Sequence, residues 1–339
     1  MGRKKIYILA VLGFLLVLAG CDLKAGGAEQ DGKGLKTINI GIQQSIGPLL
    51  LAKEKGWFEK EFKKEGIEVK WTEFQSGPPH FEAIASDRLD CGQVGNSPVI
   101  AAQSAGIPFK EIANTSNGLK GNAILVQKES GIKDLKDLKG RKIAVAKGSS
   151  GFNLLYRALS KAGLKPDDVK IIQLQPDEAQ PAFETGAVDA WSIWEPFISL
   201  ETIGKGARIL TDGQLLNVYS PGFTVVRTKF AEQHPEQVIR FLKVYEKARL
   251  WEEKHQSEAV SLYAKVKKVD QKIIKQVIKN NKALNIPISD GIVKAQQKTA
   301  DFQYSLDAIK KKINTNEVVD NSYIKKALKE VKKEGGDKN

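Results

Sequence analysis

The chain has 339 residues, of which 41% are hydrophobic and 27% charged, so it is long enough for two domains that each bury a core. Its formal net charge is +13, but the lysines are spread along helical patterns without interleaved aromatic residues. This distribution argues against a nucleic-acid partner and makes an anionic membrane surface the better one. The three histidines and two cysteines have no metal-ligand spacing, so we expect neither a metal nor another cofactor.

The N-terminus differs from the rest of the chain. A cationic start is followed by an apolar run from Ile6 to Ala19, and small residues stand directly before Cys21. The run is short for a mature membrane-spanning helix, and the segment resembles a bacterial lipoprotein signal peptide. We therefore expect residues 1–20 to be removed and Cys21 to be lipidated, which would anchor the protein to the outer face of the cytoplasmic membrane. A plain secretory signal with an incidental cysteine is the alternative.

Residues 21–34 are polar and rich in glycine, which predicts a flexible tether. The folded part is then expected to begin with a strand over residues 37–43, where polar and apolar residues alternate. A Ser-Ile-Gly-Pro turn leads into a helical pattern, and a second alternating run covers residues 67–74. The loop Gln75 to Pro79 then precedes a further helix and a short strand. The pattern is that of repeated strand, loop and helix.

The same order of elements returns from Lys142. A strand is followed by the loop Gly148-Ser149-Ser150-Gly151, a helix, a second strand and another helix. Marker residues recur in order, since Gly66 matches Gly163 and Asp90 matches Asp189. An ordered repeat of strand–helix units predicts two similar Rossmann-like α/β lobes, with loops at the carboxyl ends of the strands.

Two short β-prone runs, at residues 122–127 and 221–227, separate and follow the repeats. We expect the chain to cross between the lobes at both runs, which makes a two-segment hinge with a ligand in the cleft. Beyond the second run, the spacing of apolar residues predicts amphipathic helices that cover a core. The expected domains are a first part of lobe 1 at 35–125, lobe 2 at 126–221, a return to lobe 1 with C-terminal helices at 222–331, and a disordered tail at 332–339.

Three groups of loops should share one face of this fold. They are Gln43 to Pro48, Gln75 to Pro79 with Asn96-Ser97, and Lys147 to Gly151 with Trp191 to Pro196. All offer hydroxyls, amides or backbone N–H groups at helix starts, which are neutral donors suited to a strong-acid anion. Glycine and serine are also common in any strand-to-helix turn, so the third group alone leaves a plain turn open.

Four side chains near the third loop have alternative roles. Trp191 and Trp194 could wall a pocket against an apolar tail or pack in the core, and we expect at least one to face the ligand. Lys147 could add a charge-assisted hydrogen bond or remain solvated. Glu195 could receive a ligand ammonium or tie the lobes together, and the structural role is favoured. No catalytic residue is expected, because Gly148 to Gly151 fits neither a nucleophile elbow nor a phosphate-binding loop.

Four stretches resemble the aliphatic sulfonate-binding protein of sulfonate ABC importers. They are IGIQQSIGPLLLAKEKGWFE, VKWTEFQSGPPHFEAIASDRLDCGQVGNSPVIAAQ, AVAKGSSGFNLLYRALSKAGL and VDAWSIWEPF. The resemblance extends over about residues 37–329. With taurine, nitrate and thiamine-precursor binders, this group shares the two-lobed fold of type II periplasmic binding proteins. The cysteine-rich motif of the thiamine-precursor synthases on this fold is absent from the sequence.

The resemblance implies capture of a ligand between the lobes, hinge closure and delivery to a membrane permease powered by a cytoplasmic ATPase. The ligand would be a small organosulfonate imported for sulfur uptake, and the binding protein would act as a monomer. A taurine, sulfate-ester or nitrate receptor is the alternative within transport, and a small-molecule enzyme on this fold is the alternative from another class. The implied ligand-binding residues are Gln43, Ser45, Gly47, Gly77, Pro78, Asn96, Ser97, Gly148, Ser149, Ser150, Trp191 and Trp194, and Pro48 is a further candidate at the end of the first loop.

Overall fold

Two five-stranded sheets, one in each lobe, form the framework of the computed structural model, which describes residues 34–336. The expected signal peptide, the lipidation site Cys21 and the tether up to residue 33 lie outside the described residues. The first sheet has the order β2-β1-β3-β10-β4 and the second β7-β6-β8-β5-β9. The strands are β1 Thr37–Gln43, β2 Glu68–Phe74, β3 Cys91–Gly95, β4 Phe109–Ser116, β5 Asn122–Val126, β6 Lys142–Val145, β7 Lys170–Gln173, β8 Ala190–Trp194, β9 Arg208–Asp212 and β10 Gly222–Arg227.

The two sheets have the same topology. In each, the first three strands of the repeat run parallel, and one antiparallel strand lies between the third and the fourth. The antiparallel strand β5 directly follows the first crossing between the lobes, and β10 directly follows the second. The prediction of two similar α/β lobes joined by two crossings is therefore confirmed.

The first crossing lies earlier than expected. Strand β5 pairs with β8 and β9 in the second sheet, so residues 122–125 belong to lobe 2 and the crossing lies between Ser116 and Asn122. All five residues of β5 are buried, because the strand lies inside a sheet that is covered on both faces. The second crossing lies between β9 and β10.

Helices cover both faces of the two sheets. They are α1 Pro48–Glu54, α2 Trp57–Phe62, α3 Gly77–Ala85, α4 Asn96–Ser104, α5 Ser150–Ala162, α6 Pro176–Glu184, α7 Phe197–Ser199, α8 Gly213–Leu216, α9 Thr228–Gln233, α10 Pro235–Lys254, α11 Gln256–Lys267, α12 Gln271–Asn280, α13 Asp290–Ser305 and α14 Ser322–Gly336. Four 3-10 turns, at Lys63–Glu65, Leu135–Leu138, Pro166–Asp168 and Thr315–Val318, and a π-helical turn at Leu200–Gly204 complete the list.

The C-terminal helices return to lobe 1. The long helix α10 packs on α1, α2 and α14, and its apolar residues share one core with strand β1. Helix α12 also touches α7, and Arg157 of α5 donates to the Lys298 carbonyl oxygen of α13 at 2.9 Å. These helices therefore complete lobe 1 and also brace it against lobe 2.

The expectation of a disordered tail from residue 332 is wrong for the described part. Helix α14 continues to Gly336, and residues 337–339 lie outside the described residues. Lys243 of α10 donates to Glu330 at 3.0 Å and to Glu334 at 2.5 Å, which ties the last turns of α14 to the core helix. No helix among residues 34–336 combines the length and apolar character needed to cross a membrane.

Candidate functional site

A cavity of about 160 Å³ lies between the lobes, where the carboxyl ends of β1, β3, β6 and β8 approach one another. Residues of both crossings also line the cavity, as does Asn281, which directly follows α12. The residues from lobe 1 and the crossings are Gln43, Ser45, Gly77, Gln93, Val94, Gly95, Pro98, Thr115, Ser116, Gly118, Gly121, Ser220 and Gly222. Those from lobe 2 and the C-terminal region are Asn122, Ser149, Ser150, Trp194, Glu195 and Asn281.

The start of helix α5 forms the lobe 2 side of the cavity. Ser149 is the N-cap: its hydroxyl accepts from the Phe152 N–H at 3.2 Å and donates to the Ala146 carbonyl oxygen at 2.7 Å. The first N–H groups of a helix have no partner within it, and they carry the positive end of the helix dipole. Gly151 allows the helix start to lie against β8, since a Cβ atom there would be 2.8 Å from the Ser192 carbonyl oxygen. A thirteen-residue helix thus begins at the cavity.

The start of helix α4 lies opposite in lobe 1. Asn96 and Ser97 are almost fully buried there, and the Ser150 hydroxyl donates across the cleft to Asn96 Oδ1 at 3.4 Å. Among the described residues, Asn96 Nδ2 and Ser97 Oγ have no hydrogen-bond partner. Buried donors without a partner are costly. The start of α4 therefore holds two buried polar groups without a partner directly beside the cavity.

Two further hydrogen bonds join the lobes at the edge of the cleft. Gln44 Nε2 donates to Asp177 Oδ1 at 3.0 Å, and the Asp177 N–H donates to Gln75 Oε1 at 3.3 Å. Asp177 lies in the first turn of α6 in lobe 2, whereas both glutamines follow strands of lobe 1. The lobes are therefore in contact beside the cavity.

Seven of the fifteen candidate residues line the cavity in the structure. Gln43, Ser45, Gly77, Ser149, Ser150 and Trp194 line the cavity, and so does Glu195. Gly47 and Pro48 instead line a smaller cavity of about 70 Å³ beside it. Asn96 and Ser97 are buried between the lining residues Gly95 and Pro98.

Besides Asn96 and Ser97, four candidates line neither cavity. Pro78 and Gly148 face each other across the cleft, since a Cβ atom at Gly148 would be 3.5 Å from Pro78 Cγ. Lys147 is exposed to solvent, as expected for a lysine at a strand end. Trp191 is 1% exposed and packs in the lobe 2 core against Phe183 and Phe197.

The position of Trp191 corrects the idea that both tryptophans wall the pocket. Trp191 and Trp194 are three residues apart on strand β8, and side chains with odd spacing on a strand point to opposite faces. Of the two, only Trp194, at the carboxyl end of the strand and partly buried, lines the cavity.

Glu195 accepts hydrogen bonds both from within lobe 2 and from a C-terminal helix. Its Oε1 accepts from Ser199 Oγ at 2.8 Å and from Asn280 Nδ2 of α12 at 2.6 Å, and its Oε2 accepts from the Ser199 N–H at 3.1 Å. Burial raises the pKa of this carboxyl group. Glu195 thus ties lobe 2 to the C-terminal helices while one side of it borders the cavity.

Sequence reasoning missed the polar residues of the crossings and of α12. Thr115, Ser116 and Ser220 lie where strands meet the crossings, and Asn281 follows α12. Thr115, Ser116 and Ser220 could have been found from the sequence, because they are small polar residues that flank the two β-prone runs. Gly118 has a φ of +68°, and a Cβ atom there would be 1.7 Å from the Ser220 carbonyl oxygen, so the two crossings touch.

The cleft is lined mainly by small polar residues, together with the Trp194 ring and the Glu195 carboxyl group, and the chain crosses between the lobes twice beside it. Across residues 34–336, no group of three or more histidine, cysteine, aspartate or glutamate side chains is arranged to hold a metal ion. Two α/β lobes, two crossings and a polar cavity between them define a two-lobed solute-binding protein.

Comparisons with known proteins agree with this class. A family model described as NMT1/THI5 like matches residues 43–259. A Bacillus subtilis (strain 168) protein named for binding aliphatic sulfonates is 60% identical over 335 residues, which cover 99% of this chain and 99% of the relative. The chain belongs to the NMT1/THI5-like family, within the group of proteins named for binding aliphatic sulfonates.

Solved structures of this group share the fold. The alkanesulfonate-binding protein SsuA from Xanthomonas axonopodis pv. citri, bound to MOPS, has a TM-score of 0.78 and 31% identity, covering 84% of this chain and 97% of that one. The periplasmic aliphatic sulphonate binding protein SsuA from Escherichia coli has a TM-score of 0.74 and 31% identity, covering 86% and 99%. Both names describe binding proteins rather than enzymes.

Proposed function

We propose that this protein is the extracytoplasmic substrate-binding component of an ABC importer and that it captures aliphatic sulfonates for delivery to a permease. The observation that carries the proposal is the meeting of two helix starts at one cavity. Ser149 and Ser150 stand at the start of α5, and the buried donors of Asn96 and Ser97 stand at the start of α4. The names of the relatives support the same ligand class.

The chemistry of a sulfonate fits these donors. A sulfonate remains ionised at any physiological pH and has three acceptor oxygens, so its site must replace water with hydrogen-bond donors. Neutral hydroxyl, amide and backbone N–H groups do so without a buried cation whose own desolvation would be costly. They also leave the ligand able to depart, as delivery to a permease requires. The ring of Trp194 offers an apolar surface to the carbon next to the sulfur.

A taurine receptor would need a carboxylate that is free to accept an ammonium group. Glu195 is the carboxylate that borders the cavity, and both of its oxygens already accept hydrogen bonds from Ser199 or Asn280. Taurine is therefore the less favoured ligand.

The position of the protein in the cell is part of the proposal. Export is supported by the periplasmic relatives, and we infer further that Cys21 carries the lipid that holds the chain at the outer face of the cytoplasmic membrane. A permease and its cytoplasmic ATPase are the inferred partners, and the binding protein is inferred to act as a monomer. We infer no cofactor for capture.

Calorimetry tests the ligand assignment. Methane-, ethane- and butanesulfonate would be titrated into the purified protein beside taurine, nitrate and sulfate. We expect the alkanesulfonates to bind at least tenfold more tightly than taurine or nitrate. Tight binding of nitrate without binding of any alkanesulfonate would overturn the assignment.

A further inference from the structure

The wall of the cavity holds an acidic group and no basic one. Among the described residues that line it, Glu195 alone has a side chain that ionises near neutral pH, and the other lining residues are neutral. Lys147, which precedes the start of α5, is exposed and does not line the cavity. A cavity suited to an anion therefore borders a carboxyl group whose charge would have the same sign as the ligand.

Neutral donors hold this carboxyl group in place. Glu195 is 6% exposed, and its two oxygens accept from the hydroxyl and the N–H of Ser199 and from Asn280 Nδ2. Burial raises the pKa of Glu195, whereas the three donors favour the ionised form, which can only accept. Because none of these partners carries a charge, they leave the negative charge of an ionised Glu195 uncancelled beside the cavity.

Hydrogen bonds by themselves do not separate ligands of different charge at this site. Methanesulfonate and sulfate are nearly the same size, and sulfate has a fourth oxygen and a second negative charge in place of the methyl group. The start of α5 and the Ser150 hydroxyl can donate to the oxygens of either ion. A fixed charge, in contrast, repels a ligand in proportion to the ligand's own charge, so an ionised Glu195 repels sulfate about twice as strongly as methanesulfonate.

We propose that Glu195 determines specificity by charge: the cavity admits monoanionic sulfonates, and the carboxylate of Glu195 rejects dianions of similar size, such as inorganic sulfate. This inference rests on the proposed function and adds to it the residue that excludes the competing ions. In the competing arrangement, Glu195 only ties lobe 2 to helix α12 and has no part in discrimination.

The test removes the charge and keeps the size of the side chain. Glu195→Gln and the unchanged protein would be titrated with methanesulfonate at pH 8 in a calorimeter, alone and in competition with sulfate. The quantity of interest is the Kd of sulfate divided by the Kd of methanesulfonate. A weaker tie between the lobes affects both ligands alike and leaves this ratio unchanged, whereas loss of a nearby charge favours the dianion.

Glu201→Gln is the matched control. Glu201 is 1% exposed, lies in lobe 2 and accepts from Gln180, but it does not line the cavity. We expect Glu195→Gln to lower the ratio at least tenfold and Glu201→Gln to leave it within twofold. An unchanged or higher ratio in Glu195→Gln would overturn the inference. An equal fall in both variants would also overturn it, since net charge rather than the place of Glu195 would then set the ratio.

A second variant keeps the tie between the lobes if Glu195→Gln does not fold. Glu195→Gln combined with Asn280→Asp exchanges the donor and the acceptor of the hydrogen bond between the two side chains and preserves the net charge. The carboxylate then lies on α12 at position 280, which does not line the cavity. We expect the ratio to fall at least threefold, and an unchanged ratio in the folded double variant would overturn the inference. Melting curves identify folded samples.

Failure of this inference can be told apart from failure of the proposed function. If methanesulfonate binds and the ratio does not respond to Glu195, the sulfonate assignment stands and discrimination by Glu195 is wrong. If the unchanged protein binds no sulfonate, the proposed function itself is wrong.

Discussion

The two serines at the start of α5 have different roles although they are adjacent. Ser149 caps the helix and hydrogen-bonds to Ala146, so it supports local folding. Ser150 makes one long hydrogen bond, to Asn96 across the cleft, and its hydroxyl borders the cavity. The second residue is therefore the better probe of binding, since loss of an N-cap costs about 1 kcal/mol of stability by itself.

Ser150→Ala should weaken methanesulfonate binding by about tenfold to a hundredfold, the equivalent of one hydrogen bond to a charged group. The melting temperature should change little, because Ser150 is not the cap. Ser160→Ala, at an exposed position in the same helix, is the control and should bind normally. Calorimetry and melting curves provide both readouts, and equal affinities for the two variants would contradict the placement of the ligand.

At the level of elements, helix α13 docks on strand β4 through a buried carboxyl group. Glu111 is fully buried, and its Oε1 accepts from Gln296 Nε2 of α13 at 2.5 Å. Burial raises the pKa of Glu111 to about 8, so the folded protein holds a proton that the unfolded chain releases at much lower pH. Between the unfolded pKa and about 8, this group therefore lowers stability as pH rises.

Glu111→Gln should remove that dependence. We expect the variant to have a melting temperature close to that of the unchanged protein at pH 5 and a clearly higher one at pH 8, where its free energy of unfolding should exceed that of the unchanged protein by an amount on the order of a few kcal/mol. Thermal unfolding across pH 5–9 measures it. A constant difference between the two proteins over this range would show that Glu111 is ionised in the folded state.

The elements were largely predictable from the sequence, and the site only in part. The loop from Gly148 to Gly151 was placed well because the chemistry of a strand-to-helix turn is local. Trp191 was misplaced because its direction depends on where strand β8 begins and ends. Asn281 could not be found, since it reaches the cavity only through the packing of C-terminal helices on lobe 1. Side chains that meet through distant segments leave no spacing in the sequence.

At the scale of the whole molecule, the contacts at the cleft edge predict a role in ligand retention. Gln44 and Gln75 of lobe 1 both bond to Asp177 of lobe 2. These contacts exist only while the lobes touch, so they stabilise the closed arrangement and slow the departure of ligand.

The double variant Gln44→Ala with Gln75→Ala should release a bound sulfonate several-fold faster, with its association rate nearly unchanged. Stopped-flow measurement of Trp fluorescence gives both rates, and X-ray scattering with and without ligand reports the radius of gyration. Gln214→Ala, at an exposed site in lobe 2, is the control. A slower association with an unchanged release rate would contradict the retention role.

The place of strand β10 also determines the order in which the molecule can be assembled. All five strands of lobe 2 lie within residues 122–212, so its sheet can form from one continuous stretch. In the lobe 1 sheet, β10 lies between β3 and β4 and pairs with both, and the chain supplies β10 after the strands of lobe 2. When the chain is synthesised from its N-terminus, β4 is made long before its partner β10. The edge of β4 that faces β3 therefore stays unpaired until the strands of lobe 2 have been made. The middle of this protein can finish folding before its beginning does.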